Sequence, residues 1–134
     1  MRSLGRPKKS LAVQSGNCVG GVYRVAGPNG DTAVRRLVEG DSTWFGDWPD
    51  KRRSVGGRFE NFIFCRGEHL TILFEDFLRE MLEYAGFVDI SKYRAAQSTG
   101  HAELFDDVLG FELEPSRDQP RNLVLEAVKP RTPR

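Results

Sequence analysis

Histidine 69 stands just ahead of an amphipathic stretch, where an imidazole could act as a general base or steer a substrate carboxylate or hydroxyl. The same placement also suits a structural histidine that caps the following helix. His101 and Glu103, two residues apart, could form a second polar pair in a loop, or simply be a solvated loop. Trp44, Asp47, Trp48 and Arg58 offer aromatic rings with one acid and one base, a set that suits a polar or cyclic small-molecule acceptor, including a glycan-type one; the alternative is that both tryptophans are core. Asn29, in Gly27-Pro28-Asn29-Gly30, lies where a strand ends, and open α/β sheets place ligands outside the carboxyl ends of their strands. The competing reading is a plain Pro-Asn-Gly turn.

No metal is expected. Cys65-Arg-Gly-Glu-His69 has no standard ligand spacing, and the only other candidate ligand weighed with it is the distant His101. Nucleophilic catalysis by Cys65 finds no support either, since Phe62 to Phe64 beside it suggest burial and a raised thiol pKa.

These residues hang on a few elements. The organising one runs from His69 to Arg94. Leu73, Phe74, Phe77, Leu78, Met81, Leu82 and Ala85 recur at steps of one, three and four, which predicts a helix of about three turns presenting one apolar face. Thr71 is the expected N-cap, Glu75 and Asp76 favour the positive end of the helix dipole, and Gly86 suits a left-handed C′ position. Phe87 to Tyr93 then alternates with a period near two and reads as a strand, which makes an αβ unit.

Elsewhere, residues 1–19 are polar, basic and aperiodic and read as a disordered arm. Val22 to Ala26 predicts a strand that stops at Gly27, and Asp31 to Glu39 a short helix capped by Asp31 or Thr32 and ended at Gly40. Asp41 to Gly67 is an irregular stretch holding both tryptophans, with a buried turn or short helix around Phe59, Phe62, Ile63 and Phe64. Ala95 to Gly110 carries Ser98, His101, Glu103 and a small apolar group. Asn122 to Val128 predicts a strong last strand, closed off by Pro130 and Pro133. The expected order is strand, helix, long loop, helix, strand, loop, strand.

The chain of 134 residues is 39% hydrophobic and 29% charged, as in an ordinary soluble domain. Twenty basic against nineteen acidic residues leave a net charge of +1, which excludes a whole-protein field aimed at nucleic acid or membrane. Two cysteines make no disulfide framework, no signal peptide is legible and no apolar run approaches the roughly 20 residues of a membrane span, so a cytoplasmic location is expected. Leu4-Gly5-Arg6-Pro7-Lys8-Lys9 resembles a short minor-groove hook built on Arg-Gly-Arg-Pro, but Leu4 replaces its first arginine, so a solvated tail is the better reading.

Three words carry a family resemblance: GGVYRVAGPN (20–29), HLTILFEDFLREMLEYAGFVDI (69–90) and RNLVLEAVKP (121–130). They resemble the fifth strand, the last long helix with the sixth strand, and the seventh strand of class I S-adenosylmethionine-dependent methyltransferases. Gln97 to Leu104 is similar to the Ser- and His-containing loop that follows the sixth strand in a group of small predicted members. The resemblance implies an α/β, incomplete Rossmann-like sheet over residues 20–130, with 1–19 as the arm and 131–134 as a tail. It places Trp44, Asp47, Trp48 and Arg58 among substrate-covering insertions. The family's glycine-rich loop after a first strand and the acidic end of a second strand do not occur here. The resemblance therefore implies that S-adenosylmethionine is not bound by this chain alone, and that the chain supplies the substrate side and the antiparallel edge of the sheet. The partner would be the missing N-terminal half, or a second copy joined through the exposed sheet edge. A non-catalytic interaction module that kept this half of the fold is the alternative.

Overall fold

The alternation Val22-Tyr23-Arg24-Val25-Ala26 becomes the body of strand β2 (Val22–Pro28) in the computed structural model, which describes residues 13–15, 21–114 and 119–130. The strand runs past the predicted stop at Gly27, because Gly27 and Pro28 still pair with Leu123 and Asn122 of β4 (Asn122–Val128). β4 is central. It lies between β2 and β3 (Val88–Tyr93), antiparallel to both, so β2 and β3 run parallel to one another. Being covered on both faces, its five middle residues are all buried, and this is why it reads as an almost unbroken apolar run.

A fourth strand falls within residues 1–19, read from the sequence as an arm. Val13–Ser15 form β1, antiparallel to Val22 through Arg24 at the outer edge of β2. The rest of 1–19, including the Leu4 to Lys9 hook, lies outside the described residues, as does the 131–134 tail.

Helix α1 (Gly30–Glu39) occupies the predicted span and ends on Gly40 in the left-handed conformation, but its cap is Asn29 rather than Asp31 or Thr32. The Asn29 carboxamide oxygen accepts from the Thr32 N–H at 3.2 Å. The stretch from 41 to 67 is more regular than its composition suggested. A 3-10 turn (Ser42–Trp44) and helix α2 (Val55–Phe64), capped by Ser54, account for much of it.

The organising helix is shorter at its start than predicted. α3 spans Glu75–Tyr84, and Thr71 does not cap it. Leu73 is instead extended and forms a parallel bridge with Asn29, its carbonyl accepting from the Gly30 N–H at 2.7 Å. The first free N–H of α3, that of Glu75, is satisfied by the Asp31 carboxylate of α1 at 2.9 Å, so one helix caps another. The C-terminus is as expected: Gly86 adopts φ 95°, with Phe87 N–H bonded to Leu82 O and Gly86 N–H to Glu83 O, the paired bonds of a Schellman motif.

The predicted apolar face of α3 is only partly used. Leu78 and Leu82 join Val25, Leu123, Leu125 and Ala127 in one core cluster, while Phe77 and Met81 remain about half exposed. β3 also departs from regularity, with Asp89 at φ 52° and a register shift between Val88 and Ser91. Between β3 and β4, the small apolar group around Phe105 belongs to a further helix, α4 (Ala102–Leu109), where the sequence pattern predicts loop.

A second core cluster packs α1 against α2: Ala33, Trp44, Phe45 and Ile63, joined by Phe59, Phe62 and Ile72. On the face of the sheet away from Leu123 and Leu125, Arg24 and Glu126 are buried together under the 98–100 segment and Glu112.

No helix among the described residues is long and apolar enough to cross a membrane.

Candidate functional site

Three chain segments meet at the carboxyl end of β2, and Asn29 ties them together. Its backbone N–H donates to Arg121 O at 2.9 Å, its Nδ2 to Pro120 O at 3.2 Å, and its side-chain oxygen caps α1. All of its polar groups are therefore engaged in holding the fold, although one edge of it lines a shallow pocket of about 400 Å³ with Lys92, Arg94 and Ser98.

On the other side lies a pocket of about 240 Å³. Pro28, Phe45, Trp48 and Phe62 form its apolar wall; Asn61, Cys65, His69, Arg121 and Asn122 supply the polar atoms. The ring cluster explains the wall. Trp44 packs edge-on against Phe45 and Phe62, with centroids 4.9 and 5.0 Å apart, and its Nε1 donates to Gln119 O at 2.9 Å. Trp44 is thus core, whereas Trp48 is 73% exposed at the mouth.

The polar groups are positioned from two elements. Helix α2 brings Asn61, whose Nδ2 donates to Asp50 O and so binds the loop before it to the helix. The end of that helix turns through Cys65 and Arg66, both at positive φ, and the His69 N–H closes on Phe64 O at 3.1 Å. Burial pushes the Cys65 thiol pKa up, the nearby Glu68 charge adds to this and Arg66 opposes it, so the group stays protonated and unreactive. The lead-in to β4 brings Arg121 and Asn122. Their backbone N–H groups donate to the two oxygens of Glu114, at 2.8 and 2.9 Å. Arg121 then turns its guanidinium over the Trp44 ring, 5.6 Å from the centroid. Burial holds the pKa of Arg121 below the usual arginine range, the Glu114 charge offsetting this only in part.

The remaining sequence candidates fall elsewhere. Arg58 is spent on backbone carbonyls, Nε to Arg52 O at 2.7 Å and Nη1 to Ser42 O at 3.1 Å, pinning the preceding loop to α2. Asp47 is exposed and lines neither pocket. His101 flanks α4, its N–H donating to Thr99 Oγ1 at 3.0 Å, and Glu103 lies exposed in the first turn of that helix; no hydrogen bond joins the two side chains among the described residues. Of the sequence candidates, the structure brings His69 and Trp48 into one pocket, while Asn29 lines the other. Arg121, Asn61, Asn122 and Phe45 went unnoticed. Only Arg121 had a signal, as a lone cation immediately before an apolar strand. Among the described residues no three potential ligands converge on a metal site.

The space beside Gly30, where β2 passes through Asn29 into α1, is not open to a ligand. A Cβ at Gly30 would lie 2.6 Å from Leu73 O and 2.8 Å from the Ile72 side chain, so this close approach is already filled by the chain. Comparison with models of known families, with curated proteins and with solved structures finds no match.

Proposed function

We propose that the chain is the acceptor-side portion of a class I S-adenosylmethionine-dependent methyltransferase, a Rossmann-like sheet represented by its last three strands. The observation that carries the reading is the pocket at the carboxyl end of β2, where Pro28, Trp48 and His69 come together. Support also comes from the sheet, whose last strand in sequence is inserted between β2 and β3 and runs antiparallel to both. In this role Trp48 covers a small-molecule acceptor, and His69 orients it or takes its proton.

The described residues do not fit the cofactor by themselves. The one glycine turn at a strand end is closed by Leu73, and a pocket of about 240 Å³ is below the roughly 300–1,000 Å³ of drug-sized sites. In the intact enzyme the cofactor would supply the electrophilic methyl group. A glycine-rich half from outside residues 1–134, or a second copy of the chain, completes the site.

Complementation tests this. The chain is mixed with the glycine-rich half of a class I methyltransferase from which the final three strands have been removed, and S-adenosylhomocysteine is titrated calorimetrically into the mixture and into each part. Binding in the mixture well above that of either part is expected. Two halves that neither associate nor gain affinity would sink the proposal and leave a non-catalytic interaction module.

A further inference from the structure

The half-buried guanidinium of Arg121 is treated differently from its neighbours. Arg24, Arg36, Arg66 and Arg79 each hold a carboxylate within ion-pair distance. Arg58, which has none among the described residues, uses backbone carbonyls instead. Arg121 has no side-chain hydrogen bond or ion pair among the described residues, and its Nε is buried with no acceptor. A buried donor on a charged group is expensive to leave unmet, and a planar fork is the arrangement suited to a carboxylate or phosphate.

The surroundings leave that position for a ligand. Glu114, the closest source of negative charge, has both oxygens committed to the backbone N–H groups of Arg121 and Asn122. No carboxylate among the described residues lines the pocket. The amide nitrogens of Asn61 and Asn122 are also occupied, by Asp50 O and by Leu113 O. The Arg121 guanidinium lies over the Trp44 ring, 5.6 Å from its centroid, a contact that reduces the side-chain freedom lost on binding.

We propose that this pocket binds a small oxyanion carried on an aromatic or otherwise apolar body, with Arg121 anchoring the anion and Phe45, Phe62 and Trp48 enclosing the body. The volume of about 240 Å³ suits a single ring with its acid group and is too small for a nucleotide. The site rests on the pocket geometry and does not require methyl transfer, so it is tested without cofactor, and its failure is distinct from failure of the complementation above.

The full chain is titrated with benzoate, phenyl phosphate and the uncharged analogue benzyl alcohol, followed by tryptophan fluorescence and checked by calorimetry. At least one anion is expected to saturate below about 1 mM, and about tenfold or more below benzyl alcohol, the worth of a charge-assisted hydrogen bond. Added salt should weaken the anion and leave the alcohol unchanged. Tighter benzoate assigns a carboxylic acid, tighter phenyl phosphate a phosphate ester, and either result keeps the anion site. Arg121→Gln should bring anion affinity down to the level of the alcohol, with Arg121→Lys in between because an ammonium lacks the fork. If Arg121→Gln does not fold, the comparison of anion with alcohol on the unaltered chain still decides. Equal affinity for anion and alcohol, or no saturable anion binding below about 10 mM, overturns the proposal.

Discussion

Arg24 of β2 and Glu126 of β4 are direct register partners, and their Nη1 and Oε2 atoms meet at 2.5 Å with both side chains almost completely withdrawn from solvent. The pair is extended on both sides. Glu112 takes Arg24 Nε and Nη2 at 2.9 and 2.8 Å, Ser98 O accepts from Nη1, and Glu126 also receives Thr99 Oγ1 and the Gly100 N–H. Burial opposes the charge on Arg24, but the hydrogen bonds and charges of Glu112 and Glu126 outweigh it and raise its pKa above the ordinary value. One cation therefore joins two strands to the segments that cover one face of the sheet.

Removing one partner from such a pair strands a buried charge. Arg24→Met is expected to lower unfolding free energy by about 3–5 kcal/mol, whereas Arg24→Met with Glu126→Leu and Glu112→Leu should cost markedly less than the sum of the single changes. Urea unfolding of the unaltered chain, the three single variants and the triple variant measures this. Strict additivity would show that the three side chains do not act as a unit.

Acid should expose the same network. Burial works to raise the pKa of Glu112, but hydrogen bonds from Arg24 and the Ala96 N–H bring it below the usual carboxylate range, and Glu75 is lowered likewise by Lys92 and Arg79 against its own desolvation. A carboxyl whose folded pKa is depressed contributes stability that is complete above its unfolded pKa of about 4.3 and is lost as pH falls through the folded value. The melting temperature is thus expected to stay level down to about pH 5 and to fall below about pH 4, and Glu112→Gln should flatten that fall. An unchanged acid slope in the variant would remove Glu112 from the account.

Gly30 and Gly56 should answer oppositely to alanine. At Gly30 a Cβ meets the Leu73 carbonyl at 2.6 Å, so Gly30→Ala should push the 72–73 segment away and cost about 1–3 kcal/mol. At Gly56, inside α2, nothing lies within 4 Å, and Gly56→Ala should stabilise by about 0.4–1 kcal/mol through the unfolded chain. Thermal melts of the two variants suffice, and a neutral Gly30→Ala would mean that the approach is not tight.

The contact between α1 and α3 can be tested at its cap. Asp31→Ala removes the acceptor of the Glu75 N–H and is expected to cost about 0.5–2 kcal/mol, with most of the loss seen as faster amide exchange at the first turn of α3. Protection lost equally along the whole helix would argue against a local cap.

Much of the architecture was legible because it is local. Apolar spacing located α1, α3 and the strands β2, β3 and β4; glycine chemistry marked the ends of α1 and α3 at Gly40 and Gly86; the run at 122–128 announced a strong last strand. Even the thiol of Cys65 could be read, since its aromatic neighbours in sequence are also on its helix.

What sequence could not give is whatever depends on two distant segments meeting. Thr71 has the chemistry of an N-cap, yet the backbone at Leu73 finds a better partner in Asn29, and the cap of α3 comes from Asp31, 44 residues earlier. Trp44 and Trp48 are four residues apart and alike in composition, but only Trp44 can reach Phe45, Phe62 and the Gln119 carbonyl at once, so one is core and the other rims a pocket. Arg121 was an unremarked cation before a strand. Its meaning arises where the lead-in to β4 crosses α2 and Trp44, because local pattern reports which face of an element is apolar, while the partner of a buried polar group is chosen by the fold as a whole.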